Sequence, residues 1–315
     1  MTSDQFTGRP KGRRVAVGVD IGGTKTAVVA VALPGADVVF REVFPTQPAL
    51  GAARVRGQLV TTLGRLRSEL VLAERPPVGV SVPELVDVDG LVVTDVVVPG
   101  LTGDLREWTD IGVVRVESDV RAAALAEARV GAGRVFPSFA YVSIGTGISS
   151  AFVQHGIVWP GAHGAAILLG SGPFGPRLHP DGRLLLRPDG RPYSLEELAS
   201  GKALVAEYRA RGGRAESARE VLDRYAYDRL AAQVVAQAGA TAGQGVAQLV
   251  NVLDPHGVIV GGGLGCVDGP YWQSLEAAAR THIWADAVRR ITMLRTGLGP
   301  DAAAIGAALA ADAHR

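Results

Sequence analysis

Glycine-rich turns beside carboxylates are the segments of this sequence whose residue types and spacing suit phosphate chemistry. The first turn reads Asp20-Ile21-Gly22-Gly23-Thr24-Lys25, so a carboxylate ends an apolar run and two glycines follow it. Glycine lets backbone N–H groups approach a phosphate closely, and Lys25 adds positive charge. The next segment is β-branched and apolar rather than helical, which excludes a P-loop. A plain tight hairpin without a ligand is the alternative.

Two further glycine turns offer the same kind of chemistry. Gly145, Thr146 and Gly147 separate two apolar runs and provide backbone and hydroxyl donors for a polyphosphate. The second of them is a glycine triplet that follows an apolar run and consists of Gly261, Gly262 and Gly263. Because glycine has no side chain, a flat purine or its ribose could lie against this backbone. The alternative for the triplet is a dinucleotide-binding turn. That turn requires a helix directly after the glycines, and the segment 266–270 interrupts one.

Asp119 lies where a short apolar run passes into an Ala-rich segment that ends at Gly131. The pattern predicts a strand followed by a helix, with Asp119 at the helix N-terminus. A carboxylate there suits a group that accepts a proton from a hydroxyl attacking phosphorus, while Mg²⁺ neutralises the phosphate oxygens. The alternative is an N-cap aspartate, and Ser118 is an equally good cap. Position alone leaves both interpretations open.

Strand patterns and helix patterns alternate along the chain and would position these residues. The glycine turns join apolar runs into two similar hairpins, at 15–33 and 139–153, and the segment 161–192 is dense in Gly, Pro and Arg and predicts an irregular loop. The remaining predicted elements are a helix at 52–73, a buried strand at 78–82, a β-rich stretch at 86–98, helices at 194–210, 217–223 and 227–253, a strand at 256–263 and a helix at 301–311. Two similar hairpins in this order predict an α/β protein with two similar lobes.

The bulk composition limits the classes of partner and compartment. The 315 residues include 32 basic and 31 acidic side chains, and the net charge of +1 provides no field for nucleic acid or an anionic membrane. We therefore expect no nucleic-acid or membrane partner. The single cysteine, Cys266, excludes an intramolecular disulfide and a cysteine-cluster metal site. Residues 1–13 are polar and lack a signal-peptide pattern, so we expect a disordered arm and a cytoplasmic protein.

Taken together, the motifs and their order resemble the ROK family, named for repressors, open reading frames and sugar kinases. The segments that carry the resemblance are DIGGTK at Asp20–Lys25, ESDVRAAALAE at Glu117–Glu127, IGTGI at Ile144–Ile148, LEELASG at Leu195–Gly201, and the glycine triplet. The resemblance implies a two-lobed actin-like (ribonuclease H-like) sugar-kinase fold with duplicated βββαβα-type lobes. The lobes would be 14–117 plus 300–315, and 118–299, with ATP and acceptor in the cleft between them.

The resemblance also implies the roles of individual residues. Asp119 corresponds to the family's catalytic aspartate, the three glycine segments to its ATP and phosphate loops, and Asp20 to a Mg²⁺ ligand, directly or through water. The acceptor site is assigned to Ser118, Asp119, His163 and Glu196. Glu84, where the chain departs from the family, either replaces lost acceptor contacts or is merely a surface residue. Homodimers are common in the family, so a homodimer is an open expectation here.

This chain departs from the family's hexose kinases at several acceptor positions. Ser118 replaces an asparagine that holds ring hydroxyls, Ala165 and Leu168 stand where a glutamate and a histidine bind the sugar, and Glu84 follows Pro83 where the family has Pro-Gly. Glu196 matches the remaining carboxylate that binds the ring. The family's cysteine-rich zinc loop is replaced by a segment without cysteine, and His179 alone cannot form a structural zinc site. We predict no zinc.

These observations predict a kinase that transfers the γ-phosphate of ATP to a primary hydroxyl of a sugar or sugar-like acceptor. The altered acceptor residues favour an amino sugar or a seven-carbon cyclitol over glucose. A glucokinase is the alternative within the class, and a non-catalytic sugar- or nucleotide-binding regulatory protein is the alternative from another class. Related repressors place a winged helix-turn-helix before the first glycine turn, and only fourteen residues precede Val15. A repressor is therefore not the expected function.

Overall fold

The computed structural model of the chain describes residues 13–72, 74–178 and 184–313. The predicted N-terminal arm, apart from Arg13, and His179 lie outside the described residues. The contacts divide the chain into unit 1, residues 1–135, 153–166 and 297–315, and unit 2, residues 136–152 and 167–296. Unit 1 thus includes 118–135 and 153–166, which the predicted lobes place in the second lobe. The reason is that the helix beginning at Asp119 packs on the C-terminal helix.

Strands and helices of the described residues alternate as an α/β protein requires. The strands are β1 (Val15–Ile21), β2 (Lys25–Ala32), β3 (Asp37–Pro45), β4 (Val78–Val82), β5 (Val113–Ser118), β6 (Ser138–Ile144), β7 (Ile148–Gln154), β8 (Ile157–Val158), β9 (Pro173–Gly175), β10 (Arg177–Leu178), β11 (Leu184–Leu185), β12 (Tyr193–Ser194), β13 (Gly257–Gly261) and β14 (Thr292–Arg295). The helices are α1 (Gly51–Leu70), α2 (Asp119–Val130), α3 (Leu195–Ala199), α4 (Gly201–Ala210), α5 (Ala218–Arg224), α6 (Arg229–Leu253), α7 (Pro270–His282) and α8 (Ala302–Asp312).

Two five-stranded sheets of the same strand order form the framework. The first has the order β3-β2-β1-β4-β5, and the second, read from its other end, has the order β8-β7-β6-β13-β14. In the first sheet β1 is antiparallel to β2 and parallel to β4, and in the second β13 is parallel to β6 and β14. The β1–β2 pair and the β6–β7 pair therefore occupy equivalent places. This arrangement confirms the predicted α/β fold with a duplicated architecture.

The two faces of β1 are covered by different elements, because side chains along a strand alternate between its faces. Val17, Val19 and Ile21 pack into the cluster that includes residues of α1. Ala16 packs with residues of α8, and a Cβ placed on Gly18 would lie 1.7 Å from the carbonyl oxygen of Ala304. Only glycine therefore allows α8 to pack so closely on this strand. The even-numbered positions of β1, including Asp20, face α8.

The core of unit 2 is formed by α6 and α7 with the apolar strands β6 and β13. Small residues of α6 allow the close packing of α7. A Cβ on Gly239 would lie 2.3 Å from the carbonyl oxygen of Tyr271, and one on Gly243 would lie 2.2 Å from that of Leu275. Helices α6 and α7 are thus packed backbone to backbone where these two glycines lie.

Most of the predicted elements are present, but two differ, and some observed elements were not predicted. The stretch 86–98 is not a strand but a loop with isolated bridges from Val92 to Val86 and Gly103. The predicted helix 194–210 is broken at Ser200, which caps α4 with its side chain. Helix α7 was not predicted, because Pro270 was interpreted as an interruption, whereas proline suits the first turn of a helix. Strands β3 and β14 were not predicted either. Within the described residues, no helix has both the length and the hydropathy needed to cross a bilayer.

Candidate active site

Asp20 lies near the carboxyl end of β1, half-buried on the face covered by α8. Its Oδ1 accepts a hydrogen bond of 2.9 Å from Ser81 Oγ of the neighbouring parallel strand β4. Burial raises the pKa of Asp20 to about 6, against the lowering effects of the Ser81 hydrogen bond and the Lys25 charge, and the charge of Asp301 raises it further. Because burial dominates, a cation near Asp20 would be strongly favoured.

Thr46 stabilises the first glycine turn through two hydrogen bonds to its carbonyl groups. Its buried hydroxyl donates to the Gly22 carbonyl at 2.7 Å, and its backbone N–H donates to the Thr24 carbonyl at 3.1 Å. The turn is closed by a bond of 3.0 Å from Gly22 N–H to the Lys25 carbonyl. Thr24 and Lys25 are exposed at its tip. The turn is therefore fixed by its carbonyl groups, which leaves its tip available for a ligand.

Asp119 is the first residue of α2 and follows β5 directly. Ser118 is the N-cap residue but makes no side-chain capping bond, and the Asp119 Oδ1 accepts only from the adjacent Val120 N–H, at 2.6 Å, among the hydrogen bonds of the described residues. Neither residue thus forms the usual bond to the N–H groups one turn on, which the capping alternative requires. The carboxylate remains half-buried at the helix N-terminus.

The pKa of Asp119 is raised to about 7. Burial is the largest cause, the charge of Asp20 adds to it, the Val120 hydrogen bond opposes it, and the charge of Glu84 raises it further. Asp20 and Asp119 therefore act on each other as like charges in one site. A carboxylate with a pKa near neutrality is suited to accept a proton at physiological pH.

Asp301 precedes α8, the helix that covers the Asp20 face of β1. Its Oδ2 accepts a bond of 2.8 Å from Arg41 Nε of β3. Its Oδ1 is buried and has no hydrogen-bond partner within the described residues. An unpaired buried carboxylate oxygen costs free energy unless a cation or a water molecule reaches it. Asp301 thus adds an acceptor to the carboxylate group around Asp20.

Glu84 is buried and accepts four hydrogen bonds from a single loop. The donors are the Thr94 hydroxyl and the N–H groups of Val96, Val97 and Val98, at 2.6 to 3.1 Å. Both carboxylate oxygens are therefore engaged within the protein. The predicted direct contact of Glu84 with the acceptor stays a prediction, and the geometry gives this side chain a different task.

His163 and Ser118 lie on segments that Arg121 of α2 ties together. The buried Arg121 donates to the carbonyl groups of Gly164, at 2.6 Å, and Val86, at 2.7 Å, and it forms an ion pair with Glu117. The exposed His163 is thereby placed beside the segment that begins at Glu84. Unit 1 collects Asp20, Glu84, Ser118, Asp119 and His163, all of which the sequence assigns to the site.

The second glycine turn, in unit 2, is supported by Glu196 of α3. Glu196 Oε2 accepts from the Ile148 N–H at 2.9 Å, and a Cβ on Gly147 would lie 2.3 Å from the same oxygen. The Gly145 N–H donates to the Gly147 carbonyl at 2.9 Å, and the Gly145 carbonyl accepts from Gly201 N–H at 2.8 Å. Glycine at position 147 thus leaves room for the carboxylate that holds the turn.

The glycine triplet lies beside this turn, because β13 and β6 are parallel neighbours. Gly262 has a φ of +80° and no space for a side chain, since a Cβ would lie 2.4 Å from the Ile144 carbonyl oxygen. Around Gly263, by contrast, no atom lies within 4 Å of a Cβ position, and the nearest atom to a Cβ on Gly145 is the Gly263 nitrogen at 3.8 Å. Unit 2 therefore presents two adjacent glycine turns with open space above Gly263.

Sequence reasoning missed four residues that organise the site: Thr46, Ser81, Arg121 and Asp301. The serine in the apolar strand VGVSV is a signal that could have been used, because a polar residue in a fully buried strand needs a partner. Asp301 carries no such signal, since an aspartate before an Ala-rich helix suits a cap equally well. Within the described ranges, no group of three or more His, Cys, Asp or Glu side chains is arranged to hold a metal ion.

Residues 16–314 match the family described as ROK. The chain belongs to the ROK family. The match covers nearly the whole sequence and includes all of the glycine turns and Asp119. It confirms the resemblance to this family, on which the expected roles of the site residues rest.

Three similar proteins illustrate the range of this family. The chain is 29% identical over 297 residues to the bifunctional enzyme NanE/NanK of Brucella melitensis, covering 92% of this chain and 52% of that protein. It thus spans about half the length of that relative. The chain is 29% identical to an N-acetyl-D-glucosamine kinase of Haemophilus influenzae, covering 84% of this chain and 89% of the other.

A crystal structure of a ROK family glucokinase from Streptomyces griseus, in complex with glucose and AMPPNP, superposes with a TM-score of 0.79 at 25% identity. The superposition covers 95% of this chain and 99% of the glucokinase. This likeness confirms the actin-like sugar-kinase fold predicted from the sequence.

Proposed function

We propose that this protein is an ATP-dependent kinase that phosphorylates a primary hydroxyl of a sugar or sugar-like acceptor. The observation that carries the proposal is the half-buried Asp119, whose pKa is raised to about 7 and whose carboxylate is not used to cap α2. Relatives with kinase names and the AMPPNP-bound glucokinase support ATP as the phosphate donor.

In the proposed reaction, Asp119 acts as the general base. Its carboxylate takes the proton of the acceptor hydroxyl as the oxygen forms a bond to the γ-phosphorus of ATP. The bond between that phosphorus and the β,γ-bridging oxygen breaks, and ADP leaves with the electron pair. The Asp119 pKa lies near neutrality because burial and the Asp20 charge disfavour its ionised form. The base therefore binds the proton readily and releases it again after transfer.

The residues around Asp20 fit a hydrated Mg²⁺ ion. Carboxylate oxygens are the ligands that Mg²⁺ prefers, and it commonly uses one or two of them together with water and phosphate oxygens. Asp20 and the unpartnered Oδ1 of Asp301 supply that donor type. When bound, Mg²⁺ neutralises charge on the transferring phosphate. Lys25 adds a positive charge at the tip of the turn.

We further propose an amino sugar or a seven-carbon cyclitol as the acceptor, in preference to glucose. Three positions at which family hexose kinases contact the sugar are Ser118, Ala165 and Leu168 in this chain. The likeness to an N-acetyl-D-glucosamine kinase supports an amino sugar, while the likeness to a glucose-bound glucokinase supports the alternative, glucose. Glu196 holds the second glycine turn, and its Oε1 accepts no hydrogen bond within the described residues.

ATP consumption by the purified protein with Mg²⁺ tests the proposal across hexoses, amino sugars and seven-carbon cyclitols. We expect turnover that depends on the acceptor and falls by about 10²- to 10⁴-fold in Asp119→Asn, the range for loss of a general base. Nucleotide affinity should be retained in this variant, because its shape is unchanged. Turnover at the wild-type rate in Asp119→Asn would refute the assigned base. ATP binding without turnover on any acceptor would favour the non-catalytic regulatory protein.

A further inference from the structure

The loop of residues 94–98, called the Val loop here, is organised around a single buried carboxylate. Glu84 is 6% exposed and lies two residues beyond the end of β4. Its Oε1 accepts from the N–H groups of Val97, at 2.6 Å, and Val98, at 3.1 Å, while its Oε2 accepts from Val96 N–H, at 3.0 Å, and from the Thr94 hydroxyl, at 2.7 Å. Three successive backbone N–H groups thus converge on one side chain.

This arrangement explains why the valine-rich stretch 86–98 is not a strand. Successive N–H groups of a strand point to alternate sides, so three in a row cannot converge on one acceptor in an extended chain. The carboxylate replaces the missing strand partners and keeps these three N–H groups paired. Bonds to an ionised acceptor are also stronger than neutral ones. The conformation of the Val loop therefore depends on Glu84.

The Val loop contacts the first glycine turn. A Cβ placed on Gly23 would lie 2.8 Å from Cγ1 of Val97, so the valine packs directly against the glycine backbone. Thr94 extends the connection in the other direction, because its hydroxyl also accepts from the Leu85 N–H at 3.0 Å. The loop is thereby fixed between the segment that follows β4 and the turn proposed to bind phosphate.

Glu84 also acts on the proposed base. Its negative charge is one of the causes that raise the pKa of Asp119, together with burial and the charge of Asp20, while the Val120 N–H opposes them. Asp20 in turn faces Ser81, Lys25 and Asp301. The carboxylate of Glu84 is therefore close enough to influence proton transfer, although its own oxygens are occupied by the loop.

We propose that Glu84 is a positioning residue for phosphoryl transfer, which fixes the Val loop against the Gly22–Gly23 turn and so aligns the phosphate bound at that turn for transfer. The proposal rests on the proposed kinase function and replaces the predicted direct contact of Glu84 with the acceptor. It assigns a task to a carboxylate that stands where the ROK family usually has glycine.

Glu84→Gln is the sharpest variant, because it keeps the shape of the side chain and removes its charge. A glutamine offers one acceptor oxygen and an NH₂ group that must face N–H donors, so part of the Val loop loses its partner. The matched control is Glu127→Gln. Glu127 is also fully buried in unit 1 and also accepts from a loop N–H, that of Ala132, at 2.7 Å.

Hydrogen exchange tests the loop without any substrate. We expect the amides of Val96, Val97 and Val98 to exchange about tenfold faster or more in Glu84→Gln, since these donors lose a charged acceptor. In Glu127→Gln the same amides should be unchanged. Unchanged exchange in a folded Glu84→Gln protein would refute the proposal. If Glu84→Gln does not fold, Thr94→Val, which removes one of the four bonds to Glu84 together with the bond from Leu85 N–H, should show the same change at smaller size.

Steady-state kinetics separate a positioning role from a merely structural one. We expect kcat to fall about 10- to 100-fold in Glu84→Gln, the scale of a misaligned reactant, and KM for ATP to rise, because the Val loop packs on the turn proposed to bind phosphate. The acidic limb of the pH profile should move to lower pH, because the charge that raises the Asp119 pKa is removed. Wild-type kinetics in Glu84→Gln would refute this inference alone, whereas an inactive wild type on every acceptor would refute the proposed kinase function.

Discussion

The two glycine turns that join paired strands occupy equivalent places in two sheets of the same order, yet their surroundings differ. The turn after β1 lies among carboxylates, with Asp20 before it and Asp301 sharing its electrostatic environment. The turn after β6 lies against the glycine triplet. The carboxylate of Glu196 stabilises the turn after β6 by accepting a hydrogen bond from Ile148 N–H. The duplicated fold thus provides two similar positions, and the residues at the strand ends give each its chemistry.

The difference follows from which helix reaches each turn. In unit 1, α8 covers the even-numbered face of β1 and brings an aspartate to Asp20, so charge accumulates there. In unit 2, Gly262 and Gly263 follow β13 and add only backbone groups. We infer that unit 1 supplies proton and cation chemistry, and that unit 2 supplies a surface for the nucleotide. Three predictions test this division.

The largest effect is expected at the glycine triplet. Substitution of two neighbouring glycines should reduce nucleotide affinity in one case and stability in the other. Gly263→Ala adds a methyl group to open space, so stability should be kept while nucleotide affinity falls about tenfold or more, the equivalent of about 1.4 kcal/mol. Gly262→Ala should lose about 1 to 3 kcal/mol of stability, because its φ of +80° and the Ile144 carbonyl exclude a side chain. Calorimetric titration with AMPPNP and thermal unfolding measure both. Full nucleotide affinity in Gly263→Ala would remove the triplet from the binding surface.

A smaller effect is expected from Asp301→Asn, which tests the cation chemistry of unit 1. Loss of a carboxylate beside Asp20 should weaken Mn²⁺ binding, measured by electron paramagnetic resonance with AMPPNP present, by about tenfold. Asp312→Asn is the control, because Asp312 also belongs to the α8 region, is similarly buried and also pairs with an arginine, Arg14. Equal Mn²⁺ affinities in the two variants would show that Asp301 takes no part in the site.

The smallest effect is a pH-dependent gain in stability in Asp119→Asn. The pKa of Asp119 is raised in the folded state to about 7, so ionising it costs stability, and the cost grows from about pH 4 to about pH 7. With about 1.4 kcal/mol per pKa unit and a large allowance for solvent screening of this half-buried group, the variant should gain about 1 kcal/mol at pH 8. Urea unfolding should show no gain at pH 3.5. A pH-independent gain would mean that Asp119 carries no raised pKa.

Sequence patterns predicted the elements whose signal is local. Strand β4 and helices α1, α2, α6 and α8 follow from apolar periodicity and lie within a few residues of their predicted ends. The valine-rich stretch 86–98 was predicted wrongly because β-branched composition favours a strand, whereas Glu84, at the other end of the segment, binds three successive N–H groups. Helix α7 was missed because a proline interrupts a helix in its middle but suits its first turn.

The sequence by itself determined the family, the duplicated α/β fold and the positions of Asp20, Asp119 and the glycine turns, because glycine spacing and strand-to-helix transitions are local patterns. Only the tertiary structure decided that α8 brings Asp301 to Asp20, that Asp119 is spared from capping, and that Glu84 holds the Val loop. These contacts join residues far apart in the chain or choose among several equally suitable polar partners. Burial and hydrogen-bond geometry, which set that choice and raise the carboxylate pKa values, exist only once the chain is packed.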